Sequence, residues 1–162
     1  MGYSLDAIDA QILALLQRDG RMQRNAISDE VGLSVSAVSE RMRKLEAHGI
    51  IKGYHAVVDA KRLRFDITAF IRVRVDGSEH YGRFVEAVTA MPEVLEVHSI
   101  TGEGSHVIKI RTKNTTTLER FLSQIQALPG VSGTSTSIVL SSFKETRTVP
   151  TEPMDAFLPD DA

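Results

Sequence analysis

The chain has 162 residues and a formal net charge of -2, and 42% of its residues are hydrophobic while 25% are charged. This balance is typical of a folded globular protein and excludes a disordered chain. The absence of cysteine excludes disulfides and thiolate metal sites, and no apolar run approaches the ~20 residues of a membrane span.

Three helices are predicted between Ser4 and about Ile51. Asp6 is placed to cap the first helix, which ends at Asp19-Gly20. The second helix is short, and Ser34 precedes the third, which Gly49 is expected to end in the left-handed conformation. Apolar residues recur at helical spacing in all three, namely Ile8, Ile12, Leu15, Leu16, Ile27, Val31, Val35, Val38, Met42 and Leu45.

The second and third helices have the spacing of a helix-turn-helix, in which Gly32 allows a tight turn between two steeply crossed helices. Ser34 and the helix N-terminus are predicted to contact a phosphate. Arg41 is predicted either to touch phosphate or to pin the helices together. The other side chains predicted to contact a DNA major groove are Ser36, Ala37, Ser39, Glu40, Arg43 and Lys44. The alternative is an αα-hairpin with a charged surface.

A β-ribbon is predicted for residues 50–58, where two apolar stretches flank Lys52-Gly53, and Lys52 is added to the DNA-binding residues. We therefore assign residues 1–59 to a winged helix-turn-helix domain and residues 60–66 to a linker. The first 64 residues hold ten Lys or Arg against eight Asp or Glu, and the remainder holds nine against thirteen. This asymmetry directs the N-terminal part toward an anionic partner.

Residues 67–148 alternate strands and helices. Strands are predicted at 67–75, 94–101, 106–112 and 131–143, with helices at 79–90 and 117–127. The order βαββαβ is that of a ferredoxin-like domain, so the fold class is α+β. Because two helices cover only one face of the sheet, the other face is expected to need a partner, at least in a dimer. Residues 149–162 are predicted to be a flexible tail.

Three stretches, LDAIDAQIL (5–13), GLSVSAVSERMRKLEAHGII (32–51) and GYHAVVD (53–59), together resemble the Lrp/AsnC family of leucine-responsive, or feast/famine, transcriptional regulators. The resemblance extends from Leu5 to about Val149. It implies a DNA-binding domain followed by a ferredoxin-like domain that dimerises and binds amino acids. In the helix-turn-helix, Gln23 and Ser28 depart from the Ser and Ala that the family prefers, and Ser28 is expected to need only a backbone acceptor one turn back.

The resemblance also implies an effector site between dimers, at the loop that joins the second and third strands. The family often carries Gly-Asp-Tyr-Asp there, whereas this chain lacks the last carboxylate. Glu103 remains as a candidate partner for an ammonium group, and Thr134 and Thr136 match a family Thr-x-Thr. The predicted effector-binding residues are Gly102, Glu103, Gly104, Ser105, His106, Thr134 and Thr136. The alternative is an ordinary glycine turn with no ligand.

No motif for enzyme catalysis is present, and no cofactor is predicted. His98 and His106 lie on neighbouring strands, but without a third ligand they predict no metal site. The predicted partners are double-stranded DNA, an amino acid or similar effector, and further copies of the chain forming dimers that assemble into tetramers or octamers. We expect a cytoplasmic, nucleoid-associated regulator and no membrane. The competing predictions are an architectural DNA-binding protein and a small-molecule-binding ferredoxin-like protein.

Overall fold

The computed structural model describes residues 3–151. Within this range the chain divides into two compact units. The first unit contains residues 3–57 together with 145–151, and the second contains residues 58–144. The tail that was predicted to be flexible falls mainly on residues 152–162, which lie outside the described part of the chain.

The first unit contains three helices, α1 (Ala7–Arg18), α2 (Arg24–Val31) and α3 (Val35–Ala47). Asp6 caps α1 as predicted, because its carboxylate accepts the backbone N–H of Asp9 at 2.8 Å. Gly32 and Gly49 adopt φ of 68° and 69°, the left-handed conformation that the turn and the end of α3 require. The predicted apolar stripes meet in one cluster, whose buried members are Ile12, Leu16, Ile27, Val38, Met42 and Leu45.

The predicted β-ribbon at residues 50–58 is wrong for the described chain. Ile50 and Ile51 do not begin a strand, because their backbone N–H groups both donate to the carbonyl of Leu45 and close the end of α3. Their side chains then pack against the helical cluster. Residues 52–58 are extended without a strand partner. The first apolar stretch, Ile50-Ile51, is therefore used to end a helix, whereas Val57 and Val58 of the second stretch are exposed.

The second unit contains the predicted ferredoxin-like fold. Its elements are β1 (Ile67–Val75), α4 (Tyr81–Thr89), β2 (Val94–Ser99), β3 (His106–Thr112), α5 (Thr115–Gln126) and β4 (Val131–Ile138). The four antiparallel strands lie in the order β2-β3-β1-β4. The α+β prediction is thus confirmed.

Several of these elements differ from the predicted bounds by one or two residues; β2, for example, ends at Ser99 rather than at residue 101. Two differences in the bounds have clear local reasons. The last strand ends at Ile138 rather than at residue 143. The Val139 N–H still donates to the carbonyl of Thr68, but β1 begins at Ile67 and has no residue opposite those beyond 140. Helix α5 begins at Thr115, two residues earlier than predicted, because the Asn114 side chain accepts the backbone N–H of Thr117 at 2.9 Å and so caps the helix.

Alternation along β1 and β3 defines the two faces of the sheet. Ala69, Ile71, Val73 and Val75 face α4 and α5 in a core with Phe84 and Phe121. The intervening residues form the opposite face, which carries Phe70 together with Arg72, Arg74 and Lys109. None of the helices within residues 3–151 is long and apolar enough to cross a membrane.

Candidate DNA-binding and effector-binding sites

Helix α3 presents a polar stripe to solvent in the first unit. Ser36, Glu40 and Arg43 follow one another at the i, i+4, i+7 spacing of a single helix face, and all three are exposed. Lys44 is exposed beside them. The opposite side of the helix buries Val38, Met42 and Leu45. The fold therefore leaves the predicted DNA-binding face of α3 free of contacts with the protein core.

The first turn of α3 is held by serine hydroxyls. The Ser34 hydroxyl accepts the backbone N–H of Ala37 at 3.2 Å and lies 3.0 Å from the hydroxyl of Ser36. The Ser39 hydroxyl donates to the carbonyl of Val35 at 2.7 Å. Ala37 and Ser39 are half-buried, whereas Ser34 and Ser36 are exposed. The cap predicted for Ser34 is confirmed, and its phosphate contact stays a prediction.

Three charged side chains form an ion cluster further along the same helix. Arg43 donates to both carboxylate oxygens of Glu40, at 2.9 Å from Nε and 2.7 Å from Nη2. The ammonium group of Lys44 lies 3.8 Å from the same carboxylate. The hydrogen bond from Arg43 lowers the pKa of the Glu40 carboxyl. The cluster carries two positive charges and one negative charge on a solvent-facing helix.

Arg41 pins two helices together, which is one of the two roles predicted for it. Its Nη1 donates to Asp6 at 2.7 Å and to Asp9 at 2.8 Å, so the guanidinium joins α3 to the start of α1. The Asp9 side chain is only 2% exposed. It also accepts the phenol of Tyr3 at 3.0 Å. Arg41 thereby binds two carboxylates, and its contact with a phosphate stays a prediction.

The two departures from the family pattern in the helix-turn-helix have different outcomes. Gln23 precedes α2 without forming a side-chain cap. The Ser28 hydroxyl was expected to donate to a backbone carbonyl one turn back. It donates instead to the carbonyl of Leu33, in the turn that follows α2. This bond fixes the turn from the side of α2. Lys52, predicted to contact DNA, is exposed in the extended segment after α3.

The predicted effector loop opens into a groove of about 440 Å³ in the second unit. Glu103 lines the groove from the loop, and Arg72 lines it from the exposed face of β1. Ile100, Thr101 and Val107 complete its walls. The groove thus has one carboxylate and one guanidinium on a partly apolar floor. Sequence reasoning missed Arg72, although the alternation of buried and basic residues in ITAFIRVRV indicates that it faces outward.

Ser105 is used by the protein itself. Its hydroxyl donates to the carbonyl of Val73 at 3.2 Å and accepts the backbone N–H of Val75 at 3.0 Å. Gly104 lies against the same strand, with φ of 85° and with the position of a Cβ only 3.0 Å from the Val73 oxygen. A larger residue at 104 would collide with the β1 backbone. This loop is therefore closed onto β1 by Gly104 and Ser105.

His106 is buried, and its side chain lies between the rings of Tyr81 and Phe84, each centroid 4.9 Å away. Nδ1 is 2.9 Å from the Ser105 hydroxyl, while Nε2 is buried without a hydrogen-bond partner. Burial lowers the pKa of His106. His98 is exposed and pairs in register with Val107, so the two imidazoles lie on opposite faces of the sheet.

Thr134 and Thr136 lie on the helix-covered face, since they pair with Val73 and Ile71 of the core. The hydroxyl of Thr134 accepts the amide N–H of Gln126 on α5 at 2.9 Å. Neither threonine lines the groove that contains Glu103. Their role toward an effector stays a prediction. Among residues 3–151 no group of three His, Asp or Glu is arranged to hold a metal ion.

Comparison with known proteins gives a match for each unit. Residues 5–52 match a family model described as winged helix-turn-helix DNA-binding, and residues 68–149 match the Lrp/AsnC ligand binding domain. A similar protein is the HTH-type transcriptional regulator FL11 of Pyrococcus horikoshii, which is 41% identical over 93% of this chain and 99% of that protein. The DNA-binding transcriptional activator DecR of Escherichia coli K12 is 32% identical over 91% and 99%.

Solved structures show the same likeness. A transcriptional regulator of Neisseria meningitidis, in complex with L-Met, superimposes with a TM-score of 0.88 at 29% identity, covering 92% of this chain and 98% of that one. E. coli AsnC superimposes with a TM-score of 0.84 at 27% identity, covering 91% and 99%. The relatives named are regulators of transcription and not enzymes, in agreement with the absence of a catalytic motif.

Proposed function

Because this chain belongs to the Lrp/AsnC family of DNA-binding transcriptional regulators, we propose that it contacts operator DNA through the exposed face of α3 and responds to an amino acid bound beside the β2–β3 loop. The observation that carries the proposal is the polar stripe of Ser36, Glu40 and Arg43, which is exposed on a helix whose other side is buried. Such a helix fits the major groove of a duplex.

The DNA contacts divide by chemistry along α3. Ser34 and Ser36 lie at the helix N-terminus, where backbone N–H groups and the helix dipole favour a phosphate. Arg43 and Lys44 supply positive charge farther along, and Lys52 supplies one in the segment that follows. Ala37 and Ser39 are small enough to admit base edges to the helix surface.

The double variant Arg43→Ala, Lys44→Ala tests these contacts. We expect DNA affinity at least ~10-fold below that of the wild type in gel retardation, because one base or phosphate contact is lost at each position. The duplex is one that the wild-type protein selects from a random pool. Lys61→Ala, Arg62→Ala removes the same charge from an exposed turn in the second unit and serves as the control.

Equal affinities of the two double variants would contradict the assignment of α3. A large excess of unrelated duplex separates a sequence-specific regulator from an architectural protein. The specific complex is expected to survive roughly 10³-fold competitor, and an architectural complex is not.

For the effector, we propose that Arg72 receives an α-carboxylate and Glu103 an α-ammonium group. The two side chains line one groove and carry opposite charges, as the two ends of a free amino acid do. Ile100 and Val107 offer apolar surface for its side chain. The likeness to a regulator solved with L-Met makes methionine the first ligand to test.

A thermal-shift screen over the twenty amino acids tests the groove. A ligand at 100 times its Kd stabilises the folded protein by about 2.7 kcal/mol, so a rise in Tm is expected for at least one amino acid. Arg72→Gln and Glu103→Gln are expected to abolish the rise. Arg74→Gln is the matched control, since it neutralises the next outward residue of β1, which does not line the groove. A panel with no responding amino acid would refute the effector proposal.

We further propose that the chain assembles as dimers that join into tetramers or octamers. Leu140 and Phe143 follow β4 and are 94% and 99% exposed. Such exposure of large apolar side chains favours a surface that a second copy of the chain covers. Paired α3 helices would then contact half-sites about 34 Å apart.

An effector changes operator affinity only as far as it binds one assembly better than another. Light scattering with and without ligand measures the mass of the assembly and so detects such a preference. The proposed location is the cytoplasm, at the nucleoid.

A further inference from the structure

The ion pair between Glu40 and Arg43 is bidentate, so it fixes the orientation of the guanidinium in addition to neutralising charge. The two side chains lie three residues apart on the exposed stripe of α3, and the guanidinium donates from Nε and Nη2 to the two carboxylate oxygens. This two-point contact holds the guanidinium plane in one orientation. Lys44 approaches the same carboxylate only to 3.8 Å and adds charge without fixing a direction.

The contact leaves a complete edge of the guanidinium unused. Arginine has five N–H donors, and the carboxylate takes one on Nε and one on Nη2. The remaining donors include one N–H on Nη2 and one on Nη1 that point in the same direction. Two parallel donors match O6 and N7 of guanine in the major groove, whereas adenine offers a donor in place of the second acceptor.

We propose that Arg43 selects a guanine in the major groove and that Glu40 is the positioning residue that orients the guanidinium for this contact. The inference rests on the proposed function, in which the exposed face of α3 meets DNA. It also explains a carboxylate on that face. DNA phosphates repel Glu40, so a negative charge there lowers non-specific affinity and favours only duplexes that use the oriented arginine.

Three variants of the full chain separate selection from simple attraction. Arg43→Lys keeps the positive charge and removes the planar fork. Glu40→Gln keeps the size of the side chain and removes the charge that holds Arg43. Glu30→Gln is the matched control, because it removes one exposed negative charge from α2 that forms no ion pair with an arginine of residues 3–151. All three positions are exposed, and equal thermal unfolding of the variants verifies folding.

The experiment uses duplexes selected from a random pool by the wild-type protein. Each guanine of the half-site is replaced in turn by adenine, and separately by 7-deazaguanine, which keeps base pairing but lacks the N7 acceptor. At one guanine we expect the wild type to lose between about 5-fold and about 150-fold in affinity. A lysine ammonium can still donate to guanine but lacks the planar fork that Glu40 orients, so Arg43→Lys is expected to discriminate at least several-fold less. Glu40→Gln is expected to bind unrelated DNA more tightly and to discriminate at least several-fold less than Glu30→Gln.

Two results would overturn the inference while leaving the regulator proposal intact. One is that the protein selects a half-site but Arg43→Lys discriminates guanine from adenine in it as strongly as the wild type does. The other is a Glu40→Gln variant that loses a cytosine preference instead, which would mean that the carboxylate itself accepts from cytosine N4. If the wild-type protein enriches no sequence at all, the proposed α3 surface fails together with this inference.

Discussion

At the scale of single residues, Arg41 has a structural role within α3, the helix proposed to contact DNA. It joins Asp6 and Asp9 across two helices, and Asp9 is almost completely buried. Removal of one partner of a buried charged pair leaves the other without compensation. The hydrogen bond from the backbone N–H of Asp9 and the pairing with Arg41 lower the pKa of the Asp6 carboxyl.

Arg41→Ala is expected to lower the free energy of unfolding of the first unit by about 2 kcal/mol, because Asp9 loses a charge-assisted hydrogen bond. Urea denaturation followed by circular dichroism measures the loss. Arg18→Ala, at the exposed end of α1, is the control. An unchanged denaturation midpoint together with weaker DNA binding would show that Arg41 contacts phosphate instead.

His106 is a second residue of interest at this scale, because its burial makes the free energy of unfolding depend on pH. Its ring is 1% exposed, and the neighbouring titratable side chain is the phenol of Tyr81. Because burial lowers the pKa of the folded-state imidazole, the unfolded chain takes up its proton first as the pH falls. The stability that the neutral ring provides is complete above the ordinary pKa of about 6.5 and is lost as the pH decreases below it.

The free energy of unfolding of the second unit is therefore expected to fall between pH 7 and pH 5 in the wild type. In His106→Phe the part of this fall caused by the buried ring is expected to disappear, while His98→Gln, which changes an exposed histidine, retains it. Chemical denaturation at a series of pH values measures the slope. Identical slopes in wild type and His106→Phe would refute the assignment.

At the scale of elements, the β2–β3 loop is where this chain departs from the sequence that the family often has. Where the family often has an aspartate, Ser105 forms two hydrogen bonds with the β1 backbone, and Gly104 allows the close approach. Glu103, two residues earlier, occupies the position of the family's first aspartate and lines the groove with a carboxylate. The loop therefore keeps its shape through β1 and keeps a carboxylate at its exposed tip.

At the scale of the whole molecule, the chain enters the first unit twice. After β4, residues 145–151 return to it, and there the Gln17 side chain donates to the carbonyl of Val149 at 3.0 Å and accepts its N–H at 2.8 Å. One amide side chain thus satisfies both backbone groups of a distant residue. These two hydrogen bonds between Gln17 and Val149 hold residues 145–151 to the first unit.

Gln17→Ala is expected to release that segment. Loss of the hydrogen bonds, worth about 1 kcal/mol, corresponds to about fivefold faster hydrogen exchange at the Val149 amide. Mass spectrometry of exchanged peptides measures the rate. Gln11→Ala, on the exposed side of the same helix, serves as the control, and equal rates in both variants would contradict the contact.

Local sequence determined most of the elements of this protein. Caps, left-handed glycines and the period of apolar residues are properties of neighbouring residues. The three helices, the βαββαβ order of elements along the chain and the exposed stripe of α3 therefore followed from local sequence. Only the tertiary structure decided what depends on distant partners. It assigned Arg41 to Asp6 and Asp9, Ile50 and Ile51 to the end of α3, and Arg72 to the groove of Glu103. Hydrogen bonds and ion pairs between residues far apart in sequence leave no periodic signal, because the fold alone brings them together.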